Sequence, residues 1–246
     1  MSTIPFISVR GLEKSFGNKP ILRGIDLDIS AGETMVVLGG SGEGKSVMLR
    51  HMNGLLRPDR GEVVVDGESL NALDEDALDP IRLKVAMVFQ GGALFDSLNV
   101  YQNVSYPLRE HTKMSEPEMR ERVAELLAMV ELRQTEQLYP AELSGGMRKR
   151  VALARAVALK PSAVLYDEPT TGLDPITTHK ISALIRSAHD RLHITSVVVT
   201  HDLRSAFMVG DRFALLDKGR VRFVGTAAEA CASRDQLMRE FLGAGL

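Results

Sequence analysis

The chain has 246 residues, with 44% hydrophobic and 25% charged residues, as in an ordinary globular protein with a substantial core. Its 30 basic and 32 acidic residues leave a formal charge of −2, which gives no electrostatic reason to expect a nucleic-acid partner. No stretch approaches the roughly 20 apolar residues of a membrane helix, and the amino terminus lacks the pattern of a signal peptide. We therefore expect any membrane association to depend on a partner protein.

Short apolar runs alternate with helix-compatible segments, which is typical of an α/β domain with a mostly parallel sheet. The runs at 34–38 and 163–166 are continuously apolar, as central strands buried on both faces would be. Residues 22–29 instead alternate apolar and polar side chains, which predicts a half-exposed antiparallel strand. The predicted strands are 4–9, 25–29, 34–38, 62–65, 85–89, 163–166, 196–200, 212–216 and 221–224.

A glycine-rich stretch follows the predicted strand 34–38 and precedes a helix-compatible segment that begins at Val47. It reads GGSGEGKS and matches the phosphate-loop pattern G-x-x-x-x-G-K-[ST]. Glycines let backbone N–H groups surround phosphate oxygens, and the helix adds its positive amino end. Lys45 is predicted to reach the β- and γ-phosphates and Ser46 to coordinate Mg²⁺. The predicted ATP-binding residues here are Gly39, Gly40, Ser41, Gly42, Glu43, Gly44, Lys45, Ser46 and Val47.

The middle of the chain is predicted to be helical. No good strand pattern occurs between residues 99 and 160, and apolar residues from 119 to 130 recur at helical spacing, which indicates a packed face. We interpret the chain as one domain over 1–246. Its nucleotide-binding core with a β subdomain would take about 1–90 and 161–246, and a helical subdomain about 91–160.

A second potential phosphate-binding end lies inside the helical part. Ser144 is a good helix N-cap, and the two glycines after it leave backbone N–H groups exposed at a helix start. The helix is predicted to continue over 148–159. Its basic residues 148–150 are expected to form a solvated face rather than a nucleic-acid patch.

Two carboxylates, Asp167 and Glu168, end the apolar strand 163–166. Ligands of parallel sheets bind at the carboxyl ends of strands, so this position suits a nucleotide site. Asp167 is predicted to hold Mg²⁺ and Glu168 to polarise the water that attacks the γ-phosphate. Two solvated acids before the turn at Pro169 are the alternative, and the phosphate loop makes it the weaker one.

The ordered set of motifs resembles that of ABC transporter ATPases. The resemblance covers nearly the whole chain and implies a P-loop NTPase with a RecA-like α/β core sheet, an antiparallel β subdomain and a helical signature subdomain. It also implies that the signature motif of one copy closes on the ATP held by the phosphate loop of another. The signature residues are Ser144, Gly145, Gly146 and Met147. Many relatives carry Gln where this chain has Met147, which hints at a subfamily.

The same resemblance implies roles for four further residues. Phe16 would stack on adenine, although packing is the alternative for this ring, and Gln90 would contact Mg²⁺ and the attacking water. Asp174 would belong to the D-loop that faces the other copy, and His201 would be the switch histidine on the γ-phosphate. The predicted cofactors are ATP and Mg²⁺. The predicted catalytic residues are Glu168, His201, Gln90 and Lys45, and the predicted metal ligands are Ser46, Gln90 and Asp167.

Segments 89–96, 143–147 and 166–176 resemble the ATPase of the Mla/MCE lipid-transport systems of diderm bacteria. That resemblance implies phospholipid transport across the envelope, maintenance of outer-membrane lipid asymmetry, and a place on the cytoplasmic side of the inner membrane. It implies a homodimer with membrane permease subunits, an MCE-domain lipid-binding protein and a STAS-domain subunit. The residues Ala93, Leu94 and Phe95 could line a docking groove for the permease or belong to the core, and both remain open.

Three other functional classes are alternatives to this interpretation. An ATPase of an importer for amino acids or other small solutes would carry the same nucleotide motifs. A soluble ABC protein of DNA repair or translation is disfavoured, because those relatives typically carry long coiled coils or two fused ATPase domains. A GTPase is disfavoured because the chain has no N-K-x-D motif.

Overall fold

A computed structural model describes residues 4–245 as two β-sheets and a set of helices. The smaller sheet is antiparallel, with strand order β2-β1-β4-β5. Its strands are β1 (Ile7–Phe16), β2 (Lys19–Ile29), β4 (Arg60–Val65) and β5 (Glu68–Ser69).

The larger sheet has six strands in the order β10-β9-β3-β8-β7-β6. Five of them are parallel, and β10 pairs antiparallel with β9 at one edge. The strands are β3 (Thr34–Leu38), β6 (Val85–Val88), β7 (Ala163–Asp167), β8 (Thr195–Thr200), β9 (Arg212–Asp217) and β10 (Arg220–Thr226). The predicted α/β class with a mostly parallel core sheet is confirmed.

Nine α-helices are assigned within residues 4–245, and most begin at a polar N-cap such as Asn99, Ser144 or Asp202. Two short 3₁₀ turns lie at 70–72 and 140–142. The helices are α1 (Lys45–Met52), α2 (Glu75–Lys84), α3 (Val100–His111), α4 (Glu116–Met129), α5 (Gly145–Ala156), α6 (Pro175–Leu192), α7 (Leu203–Val209), α8 (Ala227–Cys231) and α9 (Gln236–Gly245). No helix in this described range combines the length and apolarity needed to cross a bilayer.

Two apolar layers pack against opposite faces of the six-stranded sheet. All five residues of β3 are buried, and its side chains alternate between the layers: Val36 and Leu38 join the layer with α3 to α7, Met35 and Val37 the one with α1, α2 and the small sheet. Burial on both faces explains why this strand reads as an uninterrupted apolar run.

Several predicted boundaries are wrong. The first strand begins at Ile7 rather than residue 4 and continues to Phe16, because bulges keep it paired with a second strand that itself begins at Lys19. The two-residue strand β5 was not predicted, the strand predicted over 85–89 ends at Val88, and α5 ends at Ala156 rather than 159. As predicted, no strand is assigned between residues 99 and 160, a stretch that the structure describes in full.

Candidate nucleotide-binding site

A cavity of about 700 Å³ lies where β3, β6, β7 and β8 end. Loops after these parallel neighbours supply most of its wall, and the β1–β2 hairpin closes one side with Phe16, Lys19 and Ile21. Because parallel strands deliver their carboxyl ends to one edge, motifs far apart in sequence meet there. The remaining lining residues are Ser41, Gly42, Gly44, Lys45, Ser46, Val47, Gln90, Glu168, Thr171 and His201.

The predicted phosphate loop joins β3 to α1 and curls around the amino group of Lys45. The Lys45 ammonium donates hydrogen bonds to the carbonyls of Gly39 and Gly40, each at 2.9 Å, and is almost fully buried. Gly44 caps α1 with φ of +98°, and a Cβ there would lie 2.7 Å from a methyl carbon of Leu22, so only glycine fits. Gly39, Gly40 and Glu43, predicted as ATP-binding residues, are not among those that line the cavity.

Glu43 is turned away from the centre of the loop. Its carboxylate accepts a hydrogen bond from the backbone N–H of Lys218, in the turn between β9 and β10. The acidic side chain therefore braces the phosphate loop against the neighbouring hairpin.

Glu168 is held from three sides at the end of β7. One carboxylate oxygen lies 3.3 Å from the Lys45 ammonium; the other is 2.8 Å from His201 Nδ1 and accepts a hydrogen bond of 3.0 Å from the Thr171 hydroxyl. The residue has φ of +48°, and its N–H donates to the carbonyl of Val199. This kink ends the strand and directs the carboxylate into the cavity, where the predicted base and switch histidine meet.

Asp167 and Ser46 form the set that fits a magnesium ion. The Ser46 hydroxyl donates to an Asp167 carboxylate oxygen at 2.6 Å. Within residues 4–245 there is no group of three or more His, Cys, Asp or Glu that could hold a metal. Magnesium does not require such a group, because it binds hard oxygens and usually keeps waters and substrate phosphates as ligands.

The sequence interpretation assigned no site role to Thr171 or Lys149, nor to Lys19 and Ile21 of the β1–β2 hairpin. Thr171 lies three residues after Glu168 and donates a hydrogen bond to its carboxylate. This short separation in the sequence was a signal that could have identified Thr171. Lys149 is buried, and its ammonium donates to the backbone carbonyls of Gln90 and Glu168. Burial lowers the pKa of Lys149, against the opposing effect of the nearby Asp167 and Glu168 charges.

The expected solvated face at residues 148–150 is therefore wrong in part. Arg148 is exposed, but Lys149 points to the core and Arg150 pairs with Glu131 at 3.3 Å. Three consecutive helical residues span 200° around the axis, so they cannot share one face.

The signature residues lie outside this cavity. Ser144 is the N-cap of α5, as predicted, and accepts a hydrogen bond from the Met147 N–H at 3.3 Å. Asp174 caps α6, and its pKa is lowered by hydrogen bonds from Thr177 and Ile176. Neither Asp174 nor any residue of 144–147 lines the cavity formed by the described part of one chain.

Phe16 lies at the rim of the cavity with about 50% of its surface exposed. The Lys14 ammonium lies 6.0 Å from the centre of its ring. A half-exposed ring at a cavity rim is not a core residue, which disfavours the packing alternative; stacking on adenine stays a prediction.

A separate apolar groove of about 490 Å³ lies between α2, α3 and α5. Phe95 is 44% exposed there, with its ring 4.9 Å from that of Tyr106 and 5.7 Å from the Arg155 guanidinium. Ala93 also lines the groove, whereas Leu94 packs against the core. Of the three residues, Ala93 and Phe95 thus line the groove and Leu94 belongs to the core.

Comparison with known proteins gives matches to ATP-binding proteins of ABC transporters, whose names give different cargoes. The ABC transporter family matches residues 22–171. A probable ribonucleotide transport ATP-binding protein, mkl, of Mycobacterium leprae is 44% identical over 96% of this chain and 68% of its own length. The intermembrane phospholipid transport system ATP-binding protein MlaF of Escherichia coli K12 is 39% identical over 98% of this chain and 90% of its own.

A solved structure of similar fold is the dimeric ATP-binding cassette MJ0796 in a post-hydrolysis state, bound to ADP and Pi. It is 37% identical, with a TM-score of 0.83, over 89% of this chain and 98% of that one. The similarity therefore extends over sequence and fold alike.

Proposed function

Because this chain belongs to the ABC transporter family and is an ATPase of that family, we propose that it powers phospholipid transport across a bacterial envelope and helps to maintain outer-membrane lipid asymmetry. The observation that carries the hydrolytic assignment is Glu168, held among Lys45, Thr171 and His201 at the cavity wall. The lipid assignment is supported by similarity to MlaF over nearly the full length of both chains. That similarity does not favour an importer of amino acids.

In this proposal the triphosphate of ATP lies along residues 39–46, with Lys45 on its terminal phosphates. Ser46, Asp167 and Gln90 would hold Mg²⁺, which neutralises charge that develops on the phosphates. Glu168 orients and polarises the attacking water, and His201, hydrogen-bonded to it, fixes the carboxylate and reaches the γ-phosphate. Phe16 stacks on the adenine.

The site requires a second copy of the chain. The positive amino end of α5 suits phosphate, but none of residues 144–147 lines the cavity of its own chain. In a homodimer with two-fold symmetry, Ser144, Gly145, Gly146 and Met147 of one copy would close on the ATP of the other, with Asp174 at the same interface.

The groove around Phe95 and Tyr106 is proposed to receive a cytoplasmic helix of a membrane permease. Through that contact the chain would sit on the cytoplasmic side of the inner membrane. An MCE-domain lipid-binding protein and a STAS-domain subunit complete the proposed assembly, and no nucleic acid takes part.

Glu168→Gln tests the hydrolytic assignment. It should lower kcat by roughly 10²-fold or more, because an amide cannot accept the proton of the attacking water. ATP affinity, measured by isothermal titration, should not fall, because the variant removes a negative charge from beside the phosphates and leaves the phosphate loop intact. Glu121→Gln, on the exposed face of α4, is the matched control and should hydrolyse ATP normally. Unchanged turnover in Glu168→Gln would remove this residue from its role, and unchanged ATP affinity in Lys45→Ala would do the same for Lys45.

The cargo is tested separately, on the complex purified from detergent-solubilised membranes through a tag on this chain. Bound phospholipid and a permease in the purified complex would support the proposal. A complex that retains a solute-binding protein for amino acids would overturn the lipid assignment. So would a complex that holds no phospholipid and transports ribonucleotides. Either result would leave the ATPase assignment intact.

A further inference from the structure

We propose that Lys149 is a positioning residue that ties the signature helix α5 to the two loops carrying Gln90 and Glu168. Lys149 is about 8% exposed, and its ammonium donates to the carbonyls of both residues, at 3.5 Å in the case of Glu168. Lys149 lies on α5, and its two acceptors follow the ends of β6 and β7. The inference rests on the proposed function of those two residues.

The partners of this ammonium are unusual for a buried charge. No ion pair within 4.0 Å joins Lys149 to a carboxylate among the described residues; its hydrogen bonds go to backbone carbonyls. Asp167 and Glu168 attract it only at longer range. Burying a charge is unfavourable, and an apolar side chain of similar size could fill the same space. The ammonium is therefore better explained by what it holds in place than by packing.

The loop after Gln90 is fixed to the helices rather than to the sheet. Arg155, also on α5, donates to the carbonyls of Gly92 and Ala93 at 2.9 and 2.8 Å. Asn103 of α3 accepts the N–H of Phe95 at 2.9 Å and donates to its carbonyl at 3.1 Å. A shift of α3 and α5 would therefore carry the loop with it.

Glu168, by contrast, directly follows the central strand β7. Its N–H is bonded to Val199 in β8, and its side chain to Lys45, Thr171 and His201. Through Lys149, α5 thus contacts both Gln90, whose loop is bonded to the helices from Gly92 to Phe95, and Glu168, at the end of β7. The two hydrogen bonds of Lys149 set the separation of the two catalytic loops and link their alignment to the position of the signature helix.

The test is Lys149→Met, which keeps the length and bulk of the side chain and removes the donor. We expect kcat for ATP to fall roughly tenfold, because a misplaced catalytic group slows the chemical step. KM and ATP affinity should change by less than about twofold, since the phosphate loop keeps its own contacts. Lys149→Gln, whose amide can still donate to a carbonyl, should recover at least half of the lost turnover.

Arg150→Met is the matched control, because it removes a neighbouring cation of the same helix. Arg150 contacts the Val130 carbonyl and Glu131, away from the catalytic loops, and its loss should lower stability without lowering kcat. Hydrogen exchange gives the second readout. Amides of segments 88–93 and 167–171 should exchange faster in Lys149→Met than in Arg150→Met.

A Lys149→Met variant with wild-type kcat and exchange would overturn the proposal, as would a loss of turnover that Arg150→Met reproduces equally. Failure of the proposed function has a different signature. It would appear as Glu168→Gln hydrolysing ATP at the wild-type rate, whatever the behaviour of Lys149 variants.

Discussion

At the residue scale, the site is a set of charges that neutralise one another. The Lys45 ammonium lies between the carbonyls of the phosphate loop and the Glu168 carboxylate. That carboxylate also forms hydrogen bonds with His201 and Thr171. Glu43 stands apart from this arrangement. It places a carboxylate in a loop built to bind an anion, and the carboxylate is occupied by the N–H of Lys218.

Glu43→Gln should raise the affinity for ATP. The amide oxygen of Gln can still accept a hydrogen bond from the Lys218 N–H, so the contact between the phosphate loop and the β9–β10 turn is kept. The substitution removes one negative charge from beside the phosphates. At roughly 8 Å in a water-like dielectric, each negative charge on ATP contributes about 0.5 kcal/mol of repulsion. Magnesium-bound ATP has a net charge of about −2, so the repulsion is about 1 kcal/mol and the dissociation constant should fall about fivefold at low salt. Titration calorimetry should show the gain shrinking as ionic strength rises. An unchanged dissociation constant at low salt would mean that Glu43 does not repel ATP; Glu121→Gln controls for net charge.

At the element scale, the two phosphate-binding ends are built differently. The amino end of α1 is shaped by a loop that wraps around Lys45, whereas α5 starts at a side-chain cap, Ser144. The start of α5 also packs on α6, where a Cβ on Gly146 would lie 2.5 Å from the Thr177 methyl. A Cβ on Gly145 would meet Leu173 at an ordinary 3.5 Å.

Gly146→Ala should therefore destabilise the fold, and Gly145→Ala should not. Overpacking against Thr177 outweighs the gain in helix propensity, so the free energy of unfolding should drop by about 1–2 kcal/mol in Gly146→Ala. For Gly145→Ala it should stay level or rise by up to about 1 kcal/mol. Urea denaturation without nucleotide measures both. Equal stability of the two variants would show that α5 and α6 do not pack this closely.

At the scale of the whole molecule, one chain contains both halves of the proposed site but does not bring them together. The cavity is walled by the sheet loops and the β1–β2 hairpin, and the start of α5 belongs to another surface. If the site is shared between two copies, two different inactive variants can restore ATPase activity when they form a mixed dimer. A site contained within one chain would not allow this.

Lys45→Ala damages the phosphate loop, and Ser144→Arg damages the signature end. Each homodimer then has two defective sites, but a mixed dimer keeps one intact site, made from the loop of one variant and the signature of the other. Equal mixing of the two inactive proteins should restore about a quarter of wild-type turnover, since half of the dimers are mixed and each has one working site of two. No recovery after subunit exchange, checked with differently tagged chains, would contradict a shared site.

Much of this protein is determined by local sequence. The phosphate loop, the β3 and β7 strands and the N-cap at Ser144 follow from residue types at fixed spacing. The meeting of Lys45, Glu168 and His201 could be expected as well, because parallel strands deliver their carboxyl ends to one edge. Tertiary structure decided the remainder. The length of β1 depends on a partner strand, and the burial of Lys149 on carbonyls from segments 59 and 19 residues away, contacts that no local pattern encodes.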